Sequence, residues 1–519
     1  MTTQIHTVTD LFATSTSRWA AQRAVIDDRG ELTYAELARW ADRAAAVLAA
    51  QGVRQGDRVA VAISNCREYL FVWFGAAKLG AILVAVNTRL RGEALMHQLT
   101  FTEPSCILME DELFATLSDE ERARFRKIPV FLHDPGSGAG ELGDLLREAG
   151  ESPLQEAATV REGDPHVIMY TSGTTGRPKA AVIPHYAYVQ AAFELAEIME
   201  MTEADCTYVC LPLYHGNPQV MSVMPTLARG GSLAIARGFS ASRFWDDVAR
   251  FGATVFTHIG GVIEVLLKRE PSESDPDNSL RLAFGGAPAT AVAEFAERFQ
   301  CRMLDGWGMI EIGCNTTASY ADGLLGQHGL ARRAFEVAVV DDADHHLSVG
   351  EVGEIVVRPR SPHVMFTGYY GEPDRTLERL LNLWFHTGDH GRLYSDGSLQ
   401  YLGRQGDGIR RSGENLPTET IEFEIARFPG VAEVAVVGTP APIVGQELVA
   451  CVVPVDGAQL SPEQIVSFVD ERLGKTMAPR FVRICGALPR TASEKVQRYK
   501  LREMGVIDAW DREANPVES

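Results

Sequence analysis

Short apolar runs alternate with amphipathic helical segments between residues 32 and 286, and this alternation restricts the fold more than any other feature of the chain. The runs VAVAI at 59–63 and AILVAV at 81–86 are too short for helices and indicate buried strands. A helical pattern at 67–78 lies between them. Similar apolar runs return at 167–170, 232–236, 253–259 and 281–286. Strand–helix–strand units of this size predict a parallel sheet with helices on both faces.

One helix boundary can be predicted to the residue. Thr33 is a good N-cap, and Glu36 three residues later completes a capping box in which each residue satisfies a backbone N–H of the other. The helix is expected to run to Ala50, because Gly52 follows it.

The pattern changes from about residue 330. The runs FEVAVV at 335–340 and EIVVRP at 354–359 flank an acidic turn and predict antiparallel strands. A compact α+β unit follows a Gly-rich stretch around Gly406, with helices expected from about Thr418 and from Ser461. We therefore predict an α/β protein with a large N-terminal domain, 1–405, and a small α+β C-terminal domain, 406–519. The large domain should combine parallel-rich α/β subdomains with an antiparallel β subdomain.

The charge of the chain limits its partners. Its 519 residues include 49 Lys and Arg against 69 Asp and Glu, which gives 49 − 69 = −20. A general nucleic-acid binder needs a basic face, so no nucleic-acid partner is expected. Any anionic ligand must be held by local positive charges or hydrogen-bond donors, because the net negative charge of the protein repels it.

Cysteine usage and hydropathy point to the cytoplasm. The eight cysteines contain no CxxC pair, which favours reduced thiols over a disulfide framework or a zinc site. No signal peptide is evident at the N-terminus, and no uncharged apolar run is long enough to span a membrane. We expect a cytoplasmic protein without a membrane span.

The segment from Met169 to Lys179, MYTSGTTGRPK, carries the strongest chemical signal. It follows a predicted strand, and its glycines and hydroxyl residues allow close backbone approach and hydrogen bonds to a phosphate. Lys179 adds a positive charge. The spacing differs from that of a Walker A loop, which places GK[ST] after four intervening residues.

This loop resembles the signature of the adenylate-forming superfamily, which includes acyl- and aryl-CoA ligases, luciferases and peptide-synthetase adenylation domains. The resemblance covers essentially the whole chain, and the motif sequences are most similar to those of carnitine/crotonobetaine-type and aryl acid–CoA ligases. Further segments resemble the family motifs in the same order: LPLYH at 211–215, GGAP at 285–288, GWGMIE at 306–311, TGD at 387–389, GR at 403–404, SGEN at 412–415 and PRTASEK at 489–495.

The resemblance implies the reaction. A carboxylate attacks the α-phosphate of ATP in the presence of Mg²⁺, pyrophosphate leaves, and the acyl-adenylate is passed to a second nucleophile, most often the thiol of coenzyme A. Negative charge develops in both steps, so fixed cations and hydrogen-bond donors should dominate catalysis. The C-terminal domain is expected to be mobile and to rotate after Gly406 between the two steps.

The same resemblance assigns roles to single residues. Lys495 would bridge the attacking carboxylate and the α-phosphate, and Glu311 would hold magnesium, with Thr175 as a weaker ligand. Trp307 would lie against adenine, and Asp389 would bind the ribose hydroxyls. The predicted ATP-binding residues are Thr171, Ser172, Gly173, Thr174, Thr175, Gly176, Lys179, Gly286, Ala287, Pro288, Asp305, Gly306, Trp307, Gly308, Asp389 and Arg404. Those predicted for the acid are Tyr214, His215, His258, Gly308 and Gly313, and those for the coenzyme A channel are Gly413 and Glu414.

Three positions depart from the family pattern. Ile310 stands where a Thr usually contacts the α-phosphate, Gly406 replaces the usual Asp or Lys of the hinge, and Glu494 replaces the Gly before the lysine. Ile310 cannot donate a hydrogen bond, so another donor replaces it or the reaction geometry differs.

The acceptor is left open. Relatives also pass the adenylate to an amine or a carrier thiol, and a few activate nitrite to diazotise an aryl amine. A non-catalytic nucleotide-binding homologue is disfavoured, because Lys495, Glu311 and Asp389 are all retained. A small-molecule acid is the expected substrate, and a homodimer is possible.

Overall fold

The structure is a computed structural model. The residues that it describes are 5–149, 158–171, 178–267, 269–287, 289–319, 329–404, 409–411, 414–416, 418–441, 445–489, 496 and 498–514. The chain forms two compact units. One comprises Met1–Thr88, Gln98–Tyr170 and Ala180–Gly403, and the other comprises Arg89–His97, Thr171–Lys179 and Arg404–Ser519. The predicted domain boundary, between 405 and 406, lies outside the described residues.

The first large sheet has seven strands. Their spatial order is Gly368–Tyr369, Lys179–Pro184, Pro165–Thr171, Ile82–Ala85, Arg58–Ala62, Cys106–Glu110 and Val130–His133. The last five strands of this order are parallel, and Gly368–Tyr369 pairs antiparallel with its neighbour. The predicted parallel arrangement of the early strands is confirmed.

The second large sheet has nine strands and brings together distant parts of the sequence. Their order is Leu330–Ala331, Gly313–Ser319, Arg302–Met309, Leu282–Gly286, Val255–Ile259, Cys206–Val209, Ser232–Ile235, Arg23–Asp27 and Gly30–Thr33. The six strands from Arg302–Met309 to Arg23–Asp27 are parallel, whereas the pairs at both edges are antiparallel.

Helices flank these sheets, and their bounds agree closely with the sequence pattern. Tyr34–Ala50 begins after Thr33, whose side chain accepts from the backbone of Glu36 in the predicted capping box. Arg67–Lys78 occupies the predicted range. The other helices of this part of the chain are Val8–Arg18, Gly92–Thr100, Asp111–Ala115, Asp119–Ala123, Glu141–Glu148, His185–Ile198, the π-helix Pro218–Val223, Met224–Arg229, Phe244–Phe251, Gly260–Leu267, Ala289–Phe299 and Pro373–Leu377.

An antiparallel sheet follows, as predicted. Its strands are Phe335–Val340, Gly353–Pro359, Trp384–Leu393, Leu380–Leu381 and Leu399–Arg404. Phe335–Val340 pairs with Gly353–Pro359 around the acidic turn. The predicted combination of parallel-rich α/β subdomains with an antiparallel β subdomain is confirmed.

The C-terminal unit has its own α+β core. Its main sheet contains Val431–Pro440, Gln446–Pro454, Phe481–Ile484 and Trp510–Asp511, and a small ribbon pairs Ile409–Arg411 with Glu414–Leu416. Its helices are Thr418–Ala426, Pro462–Leu473 and Arg498–Glu503. Ser461 caps the second helix, as its sequence predicts. Among the described residues, no helix is both long enough and apolar enough to cross a membrane.

Candidate active site

The predicted phosphate-binding loop joins two neighbouring strands of the first sheet. Thr171 is the last residue of Pro165–Thr171, and Lys179 is the first residue of Lys179–Pro184. The loop residues Ser172, Gly173, Thr174, Thr175 and Gly176 lie outside the described residues. Glycine and hydroxyl residues in such a loop can offer hydrogen-bond donors to an anion, and phosphate binding here stays a prediction.

The second sheet presents different residues on its two faces where its central strands end. His258 pairs with Gly285, and Phe284 pairs with Leu304. Paired residues of a parallel sheet share a face, and consecutive residues alternate between faces. One face therefore carries His258, Gly285, Asp305 and Trp307, and the other carries Thr257, Phe284, Gly286 and Gly306.

Glycine is required at two positions of this edge. A Cβ on Gly285 would lie 2.0 Å from the carbonyl oxygen of His258, and one on Gly306 would lie 2.7 Å from that of Thr316. At Gly286 the nearest atom would be 3.7 Å away, so there is room above this residue. This end of the sheet is thus tightly packed at Gly285 and Gly306. It is open at Gly286, where a ligand can approach the backbone.

The next segment is also built around close backbone approach. A Cβ on Gly308 would lie 2.0 Å from the carbonyl oxygen of Gly313, and Gly313 itself has φ +65°. The register of the two strands shifts between Trp307 and Gly308, which marks a β-bulge. The carboxylate of Asp305 accepts from the backbone N–H of Gly306 at 2.8 Å.

The predicted adenine and ribose residues meet in the structure. The indole N–H of Trp307 donates to Oδ2 of Asp389 at 2.9 Å, and both side chains are buried. The backbone N–H of Asp389 donates to the hydroxyl of Thr387 at 3.0 Å. Gly388, at φ +73°, donates its N–H to Oε1 of Glu354 at 2.8 Å. This turn holds the carboxylate in one orientation next to the indole.

Glu311 is held by its side chain and by its backbone. The phenol O–H of Tyr369 donates to Oε1 of Glu311 at 2.7 Å, and the N–H of Phe366 donates to its carbonyl oxygen at 2.8 Å. The part of the chain that the structure describes contains no hydrogen bond to the other carboxylate oxygen. Magnesium commonly takes one or two protein carboxylates and completes its shell with phosphate and water oxygens. A single oriented carboxylate therefore fits a magnesium ion that arrives with a nucleotide.

The turn that contains Tyr214 and His215 is tied to the second sheet. The two rings lie 4.6 Å apart in an edge-on arrangement. Asn217 follows them, and its Nδ2 donates to the carbonyl oxygen of His258 at 3.3 Å. Its Oδ1 accepts from the hydroxyl of Thr257 at 2.7 Å. The structure thus brings two of the predicted acid-binding segments together through Asn217.

The imidazole of His258 lies on the other face of that strand. The side chain is fully buried, and its ring lies 5.6 Å from that of Phe256. Burial lowers the pKa of His258 to about 3, although a backbone hydrogen bond at Ile259 opposes the shift, so the ring is neutral at physiological pH. Consecutive side chains of a strand alternate between faces, so the ring of His258 points away from the side where Thr257 meets Asn217.

Ile310 lies beside an open position of the same turn. A Cβ placed on Gly216 would have Sδ of Met169 at 3.6 Å and Cγ1 of Ile310 at 3.9 Å as its nearest neighbours. These are ordinary contact distances, so the space next to Gly216 is not filled by the protein. Ile310 gives this space an apolar wall in place of a hydrogen-bond donor.

For several predicted residues, the structure gives no side-chain contact that tests their role. Pro288, Gly413 and Lys495 lie outside the described residues. Arg404 ends the strand Leu399–Arg404, Glu414 begins the strand Glu414–Leu416, and Ala287 follows the strand Leu282–Gly286. The roles assigned to these residues stay predictions.

The structure also reveals functional candidates that the sequence did not indicate. Tyr369, Glu354 and Asn217 each contact a predicted site residue or its immediate neighbour. Glu354 belongs to the antiparallel sheet and Tyr369 to an edge strand of the first sheet, and both lie far in sequence from the residues that they orient. No spacing rule links them, because these contacts depend on how separate sheets pack.

A second group of potential metal ligands lies away from this site. Cys66, Glu68 and His133 are buried and bring one ligand atom each within 4.8 Å of one another. The guanidinium of Arg29 already binds both oxygens of Glu68, at 2.9 and 2.6 Å. Arg29 supplies the positive charge that a metal ion would provide, so this group is best explained as an ion-pair cluster.

Comparisons with known proteins define the class. The sequence pattern described as AMP-binding enzyme matches residues 12–370, and that of the AMP-binding enzyme C-terminal domain matches residues 420–495. The protein is therefore an AMP-forming ligase. The chain belongs to the AMP-binding enzyme family.

Individual relatives span almost the whole chain. The crotonobetaine/carnitine–CoA ligase of Salmonella paratyphi B is 29% identical over 484 residues, which are 91% of this chain and 93% of the relative. The o-succinylbenzoate CoA synthetase of Bacillus subtilis is 25% identical with a TM-score of 0.85 and covers 95% of this chain and 98% of its own. An amide bond synthetase from Marinactinospora thermotolerans shares the fold, with a TM-score of 0.83 and 24% identity. The match covers 95% of this chain and 99% of the synthetase.

Proposed function

We propose that this enzyme activates a small carboxylic acid with ATP and transfers the acyl group from the adenylate to coenzyme A. The observation that carries the proposal is the buried contact between Trp307 and Asp389. The oriented carboxylate of Glu311, four residues after Trp307 in the sequence, supports it. The pair offers an aromatic surface suited to adenine and an acceptor suited to ribose hydroxyls, and Glu311 offers a carboxylate suited to magnesium. The names of the relatives support an acid substrate and a coenzyme A acceptor.

The residues of the chain have distinct tasks in this reaction. Trp307 stacks on adenine and fixes Asp389, which accepts hydrogen bonds from ribose. Glu311 binds magnesium, which offsets phosphate charge when it is bound. Lys495 stabilises the charge that develops when the acid carboxylate attacks the α-phosphate. Glu414 and Gly413 line the entry of the thiol.

We also propose a cytoplasmic location. All eight cysteines are free thiols in the structure, which supports a reducing compartment.

The test is pyrophosphate release with ATP and magnesium over a panel of aryl, enoyl and aliphatic acids, with and without coenzyme A. We expect acid-dependent release that becomes multiple-turnover only when coenzyme A is present. Lys495→Ala should lower the rate about 10²–10³-fold, because it removes one preorganised cation. Exposed Lys500→Ala, in the helix Arg498–Glu503, is the control and should leave the rate unchanged.

One pattern of turnover would contradict transfer to coenzyme A. Turnover that ignores coenzyme A and depends on an amine, or on nitrite with an aryl amine, would assign a different acceptor. Ile310 would then belong to a site adapted to that acceptor.

A further inference from the structure

Two cysteines of the C-terminal unit lie side by side on one face of its sheet. Cys451 belongs to the strand Gln446–Pro454 and pairs with Arg483 of the neighbouring parallel strand. Cys485 follows that neighbouring strand, and its N–H donates to the carbonyl oxygen of Val452 at 2.8 Å, which continues the ladder. Alternate residues of a strand share a face, so Cys451, Arg483 and Cys485 lie together.

The two thiols hydrogen-bond to each other and differ in exposure. Cys451 is fully buried in the apolar cluster of this unit, whereas Cys485 packs against the cluster and is partly exposed. Diagonal neighbours on adjacent strands have Cα atoms about 7–8 Å apart. A disulfide usually requires about 4.4–6.8 Å between Cα atoms, so this arrangement favours contact between two thiols over a covalent bridge.

Arg483 brings a buried positive charge to these thiols. It is 5% exposed, and its Nη2 donates to the carbonyl oxygens of Met504, Gly505 and Ile507 at 3.4, 2.9 and 2.7 Å. These acceptors are neutral. Within the described residues no carboxylate pairs with this guanidinium, and its Nη1 has no hydrogen-bond partner. A buried charge is costly unless an anion compensates it, and a thiolate is the anion that this face can provide.

The neighbours of Cys485 favour its thiolate form. The hydrogen bond from the S–H of Cys451 is the main cause that lowers the pKa of Cys485, and the charge of Arg483 acts in the same direction, against the effect of burial. The same contact raises the pKa of Cys451, so the proton stays on the buried sulfur. Cys314, the other partly exposed cysteine, differs because burial raises its pKa to about 11. A partly exposed thiolate is the form of cysteine that reacts with oxidants.

We propose that Cys485 is a modification site at which hydroperoxides oxidise the thiol to a sulfenic acid. The sulfur attacks one peroxide oxygen, and an S–O bond forms as the O–O bond breaks. The departing oxygen takes the proton of the thiol and leaves as water, or as an alcohol when the peroxide is organic. The sulfur loses two electrons and the peroxide gains them. Cys451 and Arg483 are positioning residues that stabilise the attacking thiolate.

The apolar cluster relates this modification to the predicted catalytic lysine. Leu488 and Leu501 belong to the cluster, and Val496 packs against it. Val496 directly follows Lys495 in the sequence. An oxygen added to Cys485 makes this surface polar and weakens the packing that anchors Val496. Oxidation should therefore slow acid activation, an effect that rests on the proposed function.

The test traps the sulfenic acid. The full chain is treated with hydrogen peroxide in the presence of dimedone, which reacts with sulfenic acids, and peptide mass spectrometry identifies the labelled cysteines. Cys485 should carry most of the label and Cys314 little, because only Cys485 has neighbours that favour a thiolate. A reducing thiol added before dimedone should abolish the label.

Variants separate a tuned thiol from one that is merely exposed. Cys451→Ala removes the S–H donor and should lower the rate of Cys485 labelling at pH 7 about tenfold, the effect of one pKa unit. It should also move the midpoint of the pH profile for alkylation of Cys485 upward. The matched control Cys106→Ala truncates another fully buried cysteine, in a strand of the first large sheet, and should change neither quantity.

Pyrophosphate release measures the consequence for activity. Peroxide treatment should lower the rate of the wild type about tenfold or more, because a small displacement of a catalytic group is costly. A reducing thiol should restore the rate. Cys485→Ala should keep its rate after the same treatment, which separates this site from oxidation elsewhere in the chain.

The outcomes separate the parts of the inference. Absence of label at Cys485, equal label at Cys314, or a disulfide between Cys451 and Cys485 in place of the label would overturn the modification site. Unchanged labelling in Cys451→Ala would overturn the positioning role of Cys451. Label at Cys485 with unchanged release would overturn the effect on Lys495. Failure of the untreated enzyme to activate any acid would overturn the proposed function and leave the labelling result intact.

Discussion

Tyr369 is the residue whose removal tests the magnesium site most directly. Its hydroxyl donates to Glu311 at 2.7 Å, and a hydrogen bond to a charged group contributes about 1.5–3 kcal/mol. Tyr369→Phe should therefore raise the magnesium concentration for half-maximal pyrophosphate release about tenfold or more. A magnesium titration at saturating ATP and acid measures this shift.

The neighbouring tyrosine provides the control for this prediction. Tyr370 packs edge-on against Phe101, and its hydroxyl makes no hydrogen bond within the described ranges. Tyr370→Phe removes the same atom one position along the chain and should leave the magnesium dependence unchanged. Equal titration curves for both variants would show that Tyr369 does not orient Glu311.

Trp307 combines an aromatic surface with a hydrogen-bond donor, and the two can be separated. Trp307→Phe keeps a ring and removes the N–H that binds Asp389. We expect the KM for ATP to rise about tenfold with a smaller change in kcat, because Asp389 loses the donor that fixes it. Trp40→Phe alters a tryptophan stacked on Phe71 and is the control. An unchanged KM for ATP would contradict the proposed link between adenine and ribose binding.

Among the helices and strands, features encoded by neighbouring residues were predicted better from the sequence than contacts between distant segments. Tyr34–Ala50 and Arg67–Lys78 agree with the sequence because caps and periodicity are encoded within a few residues. The π-helix Pro218–Val223 was not foreseen, since its wider hydrogen-bond pattern has no such signature. The pairing of Arg23–Asp27 with Ser232–Ile235 was not foreseen either, because it joins segments far apart in sequence.

The same distinction holds within the site. Trp307, Asp389 and Glu311 were predicted singly from motifs, but their partners depend on contacts between separate sheets. The β-bulge between Trp307 and Gly308 was not visible in the sequence, because only the pairing of the two strands defines its register.

The capping box of Tyr34–Ala50 yields a prediction for a single element. Thr33→Ala removes the side-chain oxygen that accepts from Glu36 and should cost about 1 kcal/mol of stability. Thr33→Ser keeps that oxygen and should cost much less. Thermal unfolding of both variants checks this, and equal losses in Tm would assign the effect to the methyl group of threonine and not to the cap.

At the scale of the large unit, a buried ion-pair cluster links its two main sheets. Asp27 ends a strand of the second sheet and accepts from Nε of Arg67 at 2.7 Å, at the start of the helix Arg67–Lys78. Arg29 binds Glu68 in the next helical position, and His133 ends a strand of the first sheet 3.5 Å from that carboxylate. Loss of charge at Glu68 therefore affects the packing of both layers.

This cluster predicts how stability depends on pH. Burial alone would raise the pKa of Glu68, but the close contact with His133 at 3.5 Å and the hydrogen bonds and charge of Arg29 outweigh it and lower the pKa to about 2. Because the folded pKa lies below the ordinary value of 4.5, the stabilisation is complete above pH 4.5 and is lost as the pH falls toward 2. A shift of this size corresponds to roughly 3 kcal/mol.

Glu68→Gln removes the group that titrates and breaks the ion pair with Arg29, whose guanidinium keeps Asp27 at 3.6 Å. Urea unfolding should show a variant that is less stable than the wild type at pH 7 by about 1.5–3 kcal/mol, because the hydrogen bonds from Arg29 lose their charged acceptor. The difference should shrink as the pH falls from 5 to 3, since protonation of Glu68 weakens the wild type alone. Glu103→Gln, at a largely exposed carboxylate, should follow the wild-type profile throughout. If the profiles of Glu68→Gln and the wild type stay parallel over this range, Glu68 does not carry the acid sensitivity and the link between the sheets rests on Asp27 and Arg67.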